Sequence, residues 1–156
     1  MPQFLTFSVS DKNFCIDVRD IQEIAELDDF QKVPKAPACI KGVSSLRGKI
    51  VTLVEISDIF QIRCEPRVPF CAVILAPPHN NLAFSVYSEF SMKEGAEHRS
   101  EGAKKGLFSS SAEIEGLRST LLQSREIVTF CEQKVLESFK IANAHPARNM
   151  KSKKKV

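Results

Sequence analysis

The side chains that most often carry acid–base chemistry are few in this chain and lie apart from one another. Its three histidines, His79, His98 and His145, sit beside prolines or in polar segments, away from any cysteine or serine nucleophile motif. The chain contains no phosphate-binding glycine loop, no dinucleotide-binding glycine pattern, no H-E-x-x-H and no G-x-S-x-G. We therefore expect no catalytic residue, no cofactor and no enzymatic activity.

The five cysteines are the remaining candidates for metal or redox chemistry. Cys64 and Cys71 are the closest two, but six residues separate them and no second pair stands at zinc-site spacing. All except Cys64 lie in or beside apolar runs, which favours reduced core thiols in a cytosolic protein. No stretch approaches the roughly 20 apolar residues that cross a bilayer. We expect a cytoplasmic protein with no metal site and no membrane insertion.

The positive charge of the chain is concentrated at its C-terminus. Five basic residues lie there without an acid among them: Arg148, Lys151, Lys153, Lys154 and Lys155. Without them the formal net charge falls from +3 to −2, so the rest of the chain is slightly acidic. This argues against a nucleic-acid-binding face on the folded body. We expect a disordered basic tail over residues 145–156, with a small-barrel nucleic-acid-binding protein carrying a basic arm as an alternative.

Apolar runs separated by short polar turns predict a chain built mainly from strand pairs. There are three such pairs: 4–9 with 14–18, 40–46 with 50–56, and 68–76 with 82–90. The second pair gives the strongest hairpin signal, because Gly48 in its turn can supply the positive φ that a tight hairpin needs.

Two segments depart from this pattern. Val18, Ile21 and Ile24 fall at spacings of three, which is typical of one face of a short helix. Residues 91–112 are polar and contain three glycines and a run of serines, so they predict a long mobile loop.

An internal echo indicates two copies of one strand-turn-strand unit. It has two parts: 40–43 (IKGV) with 114–117 (IEGL), and 50–55 (IVTLVE) with 127–132 (IVTFCE). The offset is 74 in the first part and 77 in the second, which three extra residues in the second hairpin turn would explain. The echo predicts two similar small barrels joined into one domain.

The predicted domain covers residues 1–144. Its lobes extend roughly over 1–66 and 67–131, where residues 127–131 form the last strand, and a C-terminal helix follows over 132–144. Closing each lobe into a barrel would remove the exposed strand edges that invite aggregation.

The first sixty residues carry a family signature. It comprises six segments: Phe4-Leu5-Thr6-Phe7, Phe14-Cys15-Ile16-Asp17-Val18, Ile21-Gln22-Glu23-Ile24, Val33-Pro34, Pro37, and the run from Ile40 to Val51. These segments resemble the CheW domain of bacterial chemotaxis coupling proteins. The last run is close to the family pattern I-x-G-x-x-N-L-R-G-x-I-x-P-V-x-D, with Ser45, Thr52 and Glu55 in place of Asn, Pro and Asp. The second half matches in outline, and Tyr87-Ser88 stands where the family commonly has Val-Asp.

The resemblance implies a mostly β fold, with two linked five-stranded SH3-like barrels and short helices that include one at the C-terminus. It also implies a non-catalytic adaptor that couples a CheA-type histidine kinase to the cytoplasmic tips of chemoreceptors. A scaffold of another kinase pathway is an alternative within the same family.

The resemblance further implies which residues bind the partner. Carried over position by position, the receptor-facing groove comprises Leu5, Val18, Ile21 and Ile24, with Gly42 and Arg47 beside it. Glu23 and Arg47 match positions that form an ion pair in the family. We expect a planar two-point contact between them that holds the short helix against the hairpin.

Overall fold

The computed structural model of this protein describes residues 1–99 and 106–154, with side chains described through residue 139. Within these residues the chain forms eleven strands and two helices, and a 3-10 turn follows the second strand. Their bounds are β1 Gln3–Val9, β2 Lys12–Asp17, the 3-10 turn Val18–Asp20, β3 Ile21–Leu27, β4 Ile40–Leu46, β5 Lys49–Val54, α1 Ile56–Ile59, β6 Phe70–Leu75, β7 Leu82–Val86, β8 Ser91–Glu94, β9 Ala96–His98, β10 Ser111–Ile114, β11 Leu117–Leu122 and α2 Ser124–Lys154.

One sheet has the strand order β8-β1-β2-β11-β10-β9. Its two edge strands, β8 and β9, are consecutive in the chain and are separated only by Gly95, so a single bent segment closes the sheet into a barrel, here called barrel A. A Cβ atom at Gly95 would lie 2.6 Å from Ile114 Cγ1 and 2.8 Å from the Glu113 carbonyl oxygen, so the bend requires glycine. The six strands are thus five chain segments, and the predicted mostly β fold with two barrels is confirmed.

The other sheet has the order β3-β6-β7-β5-β4 and forms barrel B. Its two edges, β3 and β4, meet along a line that we call the seam. Gln31, just after β3, exchanges two backbone hydrogen bonds of 2.8 Å with Val43 of β4. The Arg47 side chain lies 2.8 Å from the Glu23 carboxylate across the same line. These contacts close barrel B, although β3 and β4 do not form a continuous ladder of backbone hydrogen bonds.

The predicted division of the lobes near residue 66 is wrong. Barrel A combines residues 3–17 with 91–122, because β2 pairs in parallel with β11 and the N-terminal hairpin therefore lies beside the C-terminal one. Barrel B is the continuous segment 21–86, which is inserted between the two parts of barrel A.

The internal repeat is present, but in a different register from the one predicted. The equivalent hairpins are β4–β5 and β10–β11, each of which pairs in parallel with a further strand through its second member. Their turns match closely: Arg47 and Gly48 have φ of 51° and 81°, and Glu115 and Gly116 have φ of 53° and 79°. The offset is therefore 68 residues, and a helix follows each hairpin.

Residues 127–131, predicted as a last strand, belong to α2. Ile127 and Cys131 are buried four residues apart on one face of this helix, so helical packing outweighs the β propensity of the IVTFC run.

Two further predictions are corrected. Ile21 and Ile24 lie in strand β3, not on a helix, and helical geometry is limited to the 3-10 turn before it. A bulge between Ile21 and Glu23 leaves both isoleucines half-buried, which explains their apparent spacing of three. In the predicted loop 91–112, strands β8 and β9 and the start of β10 are formed, with mostly exposed side chains in β8 and β9 that suit the outside of a barrel. Residues 100–105 lie outside the described residues.

The largest buried cluster belongs to both barrels. It includes Leu5 and Ile16 from barrel A, Val73 and Leu75 from barrel B, and Ile127 from α2. A row of phenylalanine rings runs through this region, with adjacent centroids 4.8–6.1 Å apart: Phe84, Phe7, Phe14, Phe60, Phe108 and Phe130. The barrels are therefore packed against each other over an apolar interface.

Helix α2 leaves the body of the protein after Cys131, the last buried residue among the described side chains. Its backbone continues to Lys154, so residues 145–154 are helical where the sequence predicts a disordered tail. No helix in the described part of the chain is long and apolar enough to span a membrane.

We expect deletion of residues 148–156 to leave the melting temperature nearly unchanged, because the buried part of α2 ends at Cys131. Thermal unfolding followed by circular dichroism measures this. Deletion of residues 124–156 is the matched comparison: it removes Ile127 from the shared core and should lower the melting temperature strongly. A drop of several degrees on the shorter deletion would contradict the prediction.

Candidate functional site

The Glu23–Arg47 pair implied by the family resemblance is present at the seam of barrel B. Arg47 Nη1 lies 3.0 Å from Glu23 Oε1 and 2.8 Å from Oε2, so one nitrogen lies between both oxygens. The expected planar contact through two nitrogens is not formed, because the arginine approaches with one end of its guanidinium. The Arg47 side chain is 74% exposed, so the pair stabilises the fold by only about 0.2–1 kcal/mol.

The apolar residues predicted around this pair divide into surface and core positions. Val18, Ile21 and Ile24 are half-buried and follow one another along the 3-10 turn and β3, and Ile21 and Ile24 also pack against the shared core. Leu5 is fully buried in the shared core, where no partner can reach it. Gly42 is also buried: a Cβ there would lie 2.3 Å from the Gln31 carbonyl oxygen, so glycine permits the close crossing at the seam. Leu5 and Gly42 thus support the predicted groove from within and do not line it.

A buried ionic cluster lies inside barrel B and was not predicted from the sequence. Lys41 Nζ is 3.8 Å from Glu55 Oε2, and the two side chains are 5% and 6% exposed. Glu55 also accepts hydrogen bonds from Tyr87 at 2.7 Å and Ser85 at 3.1 Å, and Lys41 donates to the Tyr87 hydroxyl. The carboxylate is therefore paired and hydrogen-bonded, as a buried charge must be.

Aromatic rings surround the Lys41 ammonium on its other sides. Its nitrogen lies 4.1 Å from the ring centroid of Phe70, 4.6 Å from that of Tyr87 and 4.7 Å from that of Phe30. Burial lowers the pKa of Lys41 and raises the pKa of Glu55, in each case against the attraction of the other charge. The rings favour the cation in place of the water that it has lost.

Two of these residues are departures from the family pattern noted above. Glu55 replaces an aspartate and Tyr87 replaces a valine, and in the structure they contact each other directly. The longer acid reaches the phenol, which in turn meets Lys41. The sequence marks Glu55 and Tyr87 as unusual residues. It does not show their contact across 32 positions, because this contact depends on the pairing of β6 with β7 and of β7 with β5.

The described residues include no group of three or more histidine, cysteine or acidic side chains that could hold a metal ion. All five cysteines are free; Cys64 and Cys71 are half-buried and the other three are buried.

Comparison with known families gives a match over most of the chain. The model of the CheW-like domain matches residues 3–122. This stretch begins at the first residue of β1 and ends at the last residue of β11, so it contains both barrels.

Individual relatives match over shorter stretches. The chain is 30% identical to the chemotaxis protein CheW of Treponema pallidum over 39% of its own length and 36% of the relative. It is 33% identical to that of Rhizobium meliloti over 46% and 47% of the two chains, and 32% identical to that of Thermotoga maritima over 38% and 40%. The matched stretches thus span less than half of each of these relatives.

A solved structure has the same fold. The scaffolding protein TtCheW from Thermoanaerobacter tengcongensis superposes with a TM-score of 0.65 over 79% of this chain and 90% of that protein, at 17% identity.

We expect Lys41→Met to destabilise the protein by about 3 kcal/mol, because it leaves the Glu55 carboxylate buried without its cation. The double variant Lys41→Met/Glu55→Gln removes both charges and should be more stable than Lys41→Met alone. Urea unfolding measures both free energies.

Lys93→Met is the matched control, because Lys93 pairs with Glu115 at 3.2 Å on the surface. Its effect should stay within about 0.5 kcal/mol. Equal losses for Lys41→Met and Lys93→Met would mean that the buried pair has no special role in stability.

Proposed function

This chain belongs to the CheW-like domain family, and from that premise we propose that it is a non-catalytic adaptor that couples a CheA-type histidine kinase to chemoreceptors. The observation that carries the proposal is the match of the family model to residues 3–122, the stretch that contains every strand in the described part of the chain. The named relatives are chemotaxis proteins, and the structural relative is described as a scaffolding protein.

The receptor-binding surface of our proposal lies along β3 and the turn between β4 and β5. Val18, Ile21 and Ile24 offer half-buried apolar side chains, and Arg47 offers a largely exposed cation beside them. Strand β3 is an edge strand of its sheet, with a ladder partner on one side. An apolar strip with a charged border suits a helical hairpin such as a receptor tip, since apolar contacts supply affinity and the charge supplies orientation.

The geometry of the seam supports this role for Glu23 and Arg47. Because Glu23 is on β3 and Arg47 is in the turn between β4 and β5, their contact fixes the strip relative to this turn. We propose that its importance is positional, since an exposed pair contributes little to stability.

Reconstitution tests the adaptor function. The purified protein is mixed with the histidine kinase of its own organism and with membranes that contain its receptors, and kinase autophosphorylation is measured. We expect the kinase to bind the receptor membranes, and its rate to rise, only when this protein is present. Binding to another histidine kinase without receptors would favour the alternative of a scaffold for a different pathway, and binding to neither would reject the proposal.

We expect Arg47→Ala and Glu23→Ala each to weaken receptor binding while the protein stays folded. The double variant should be no weaker than either single variant, because both changes remove one contact. Co-sedimentation with receptor membranes measures the affinity of the unchanged protein, the two single variants and the double variant, which together form a double-mutant cycle.

Arg118→Ala is the control, because Arg118 is exposed on β11, away from the seam. Strictly additive losses, or unchanged affinity for Arg47→Ala, would rule out the positional role of the pair.

A further inference from the structure

A polar cavity of about 390 Å³ lies where the two barrels and α2 meet. It is lined by the 3-10 turn after β2, the loop between β6 and β7, the end of β9 and the start of α2. The proposed receptor surface does not use it. Its charged and polar lining includes three arginines, Arg19, Arg99 and Arg125, together with His79 and Ser124.

Two of the arginines are held in place by acids and keep free donors. Arg19 binds the buried carboxylate of Asp17 through Nε at 3.1 Å and Nη2 at 2.7 Å, which leaves its Nη1 group without a described acceptor. Arg99 donates from Nε to Glu97 at 3.1 Å and from Nη1 to Gln123, which leaves its Nη2 group without one. The acids therefore orient both guanidiniums, and each still presents N–H groups.

The third arginine has no side-chain partner among the described residues. Arg125 is exposed, and it lies in the first turn of α2. Its whole guanidinium is therefore available to a ligand, and planar guanidinium groups match the oxygen geometry of phosphates and carboxylates.

The first turn of α2 contributes donors to the same cavity. The N–H groups of Glu126 and Ile127 bond to the Gln123 carbonyl oxygen at 2.9 and 3.1 Å, whereas those of Ser124 and Arg125 have no acceptor among the described residues. The Ser124 hydroxyl is buried and likewise has no hydrogen-bond partner. A buried hydroxyl without a partner is costly, and a helix N-terminus favours anions. The free N–H groups of Ser124 and Arg125 therefore favour an oxyanion here, whereas the buried Ser124 hydroxyl oxygen is out of reach of a ligand in the cavity.

Carboxylates oppose this ligand. Asp20 itself lines the cavity; burial and the nearby Asp17 and Glu97 raise its pKa, while Arg99 and Arg19 lower it. Asp17 and Glu97 offset the charges of Arg19 and Arg99, and Arg125 remains to offset Asp20, so attraction of an anion depends on directed N–H donors and not on an excess of positive charge. Asp20 should therefore limit the affinity for an anion without abolishing it.

We propose that this cavity is a binding site for a phosphate group, carried by a small phosphorylated molecule, that bridges the two barrels at the start of α2. Its phosphoryl oxygens would accept from the Arg125 side chain, from the free groups of Arg19 and Arg99, and from the backbone N–H groups of Ser124 and Arg125. The cavity is within the size range of small-ligand pockets and larger than the phosphate group alone, so the rest of the molecule would lie toward Pro78 and His79. This site does not depend on the proposed adaptor function.

The test is a titration of the isotope-labelled protein with inorganic phosphate at constant ionic strength, followed by amide NMR. We expect saturable shifts of the Ser124 and Arg125 amides, with a Kd on the order of 1 mM because so small a ligand makes few contacts. Sodium acetate, titrated in parallel, should bind more weakly.

Three variants locate the site. Arg125→Ala should weaken phosphate binding about tenfold. Ser124→Ala should leave it unchanged, because the ligand contacts the backbone N–H and not the buried hydroxyl, and should raise stability slightly, because it removes a buried hydroxyl that has no partner. Asp20→Asn should strengthen it, because it removes the opposing charge. Arg118→Ala, which removes the same charge elsewhere on the surface, is the control and should change nothing.

Three results would overturn the proposal. The first is the absence of saturable shifts at Ser124 and Arg125. The second is an equal effect of Arg125→Ala and Arg118→Ala, which would indicate diffuse electrostatic attraction. The third is equal affinity for acetate and phosphate, which would indicate a carboxylate site.

Discussion

Packing between the two barrels supports the rest of this structure. Among the described residues, the cluster shared by both barrels and α2 contains sixteen buried apolar residues, whereas the interiors of barrel B and barrel A contain six and five. Burial of apolar area is the main favourable term in folding. Most of this stabilisation therefore comes from the interface between the barrels and not from the interior of either one. The row of phenylalanine rings crosses this interface from Phe84 to Phe130. Because barrel B is inserted between the two parts of barrel A, neither can complete this core without the other.

Closure of the barrels follows two different solutions to the same problem of unpaired edges. Barrel A closes through one continuous segment that bends at Gly95 and pairs on both sides of the bend. Barrel B closes through the seam, with the Gln31–Val43 bridge and the Glu23–Arg47 pair. A seam held by few contacts leaves much of the outer edge of β3 without a ladder partner. The proposed receptor surface therefore lies where barrel closure is least complete.

The strand pairs were predictable because apolar alternation and a glycine turn are local signals, and Gly48 lies where the hairpin was expected. The register of the repeat was not, because the echo rested on letter similarity between a strand and a helix. The true correspondence, Leu53-Val54 with Leu121-Leu122, consists of fully buried residues before a helix start, and burial is set by tertiary packing. The assignment of β1 and β2 to barrel A rests on parallel pairing across about 100 residues, which no local pattern encodes.

The candidate site shows the same limit. Resemblance located Glu23 and Arg47, whose contact depends on the general path of the chain around the seam. It placed Leu5 at the surface, although the pairing of β1 with both β2 and β8 buries it. The cluster of Lys41, Glu55 and Tyr87 includes two departures from the family pattern: a longer acid and a phenol meet a lysine whose other neighbours are aromatic rings. Each of these residues alone costs stability when buried, and only their mutual contacts offset that cost. Comparison of one sequence with a family pattern treats each position separately. It therefore shows Glu55 and Tyr87 as two unrelated departures and does not show that they contact each other.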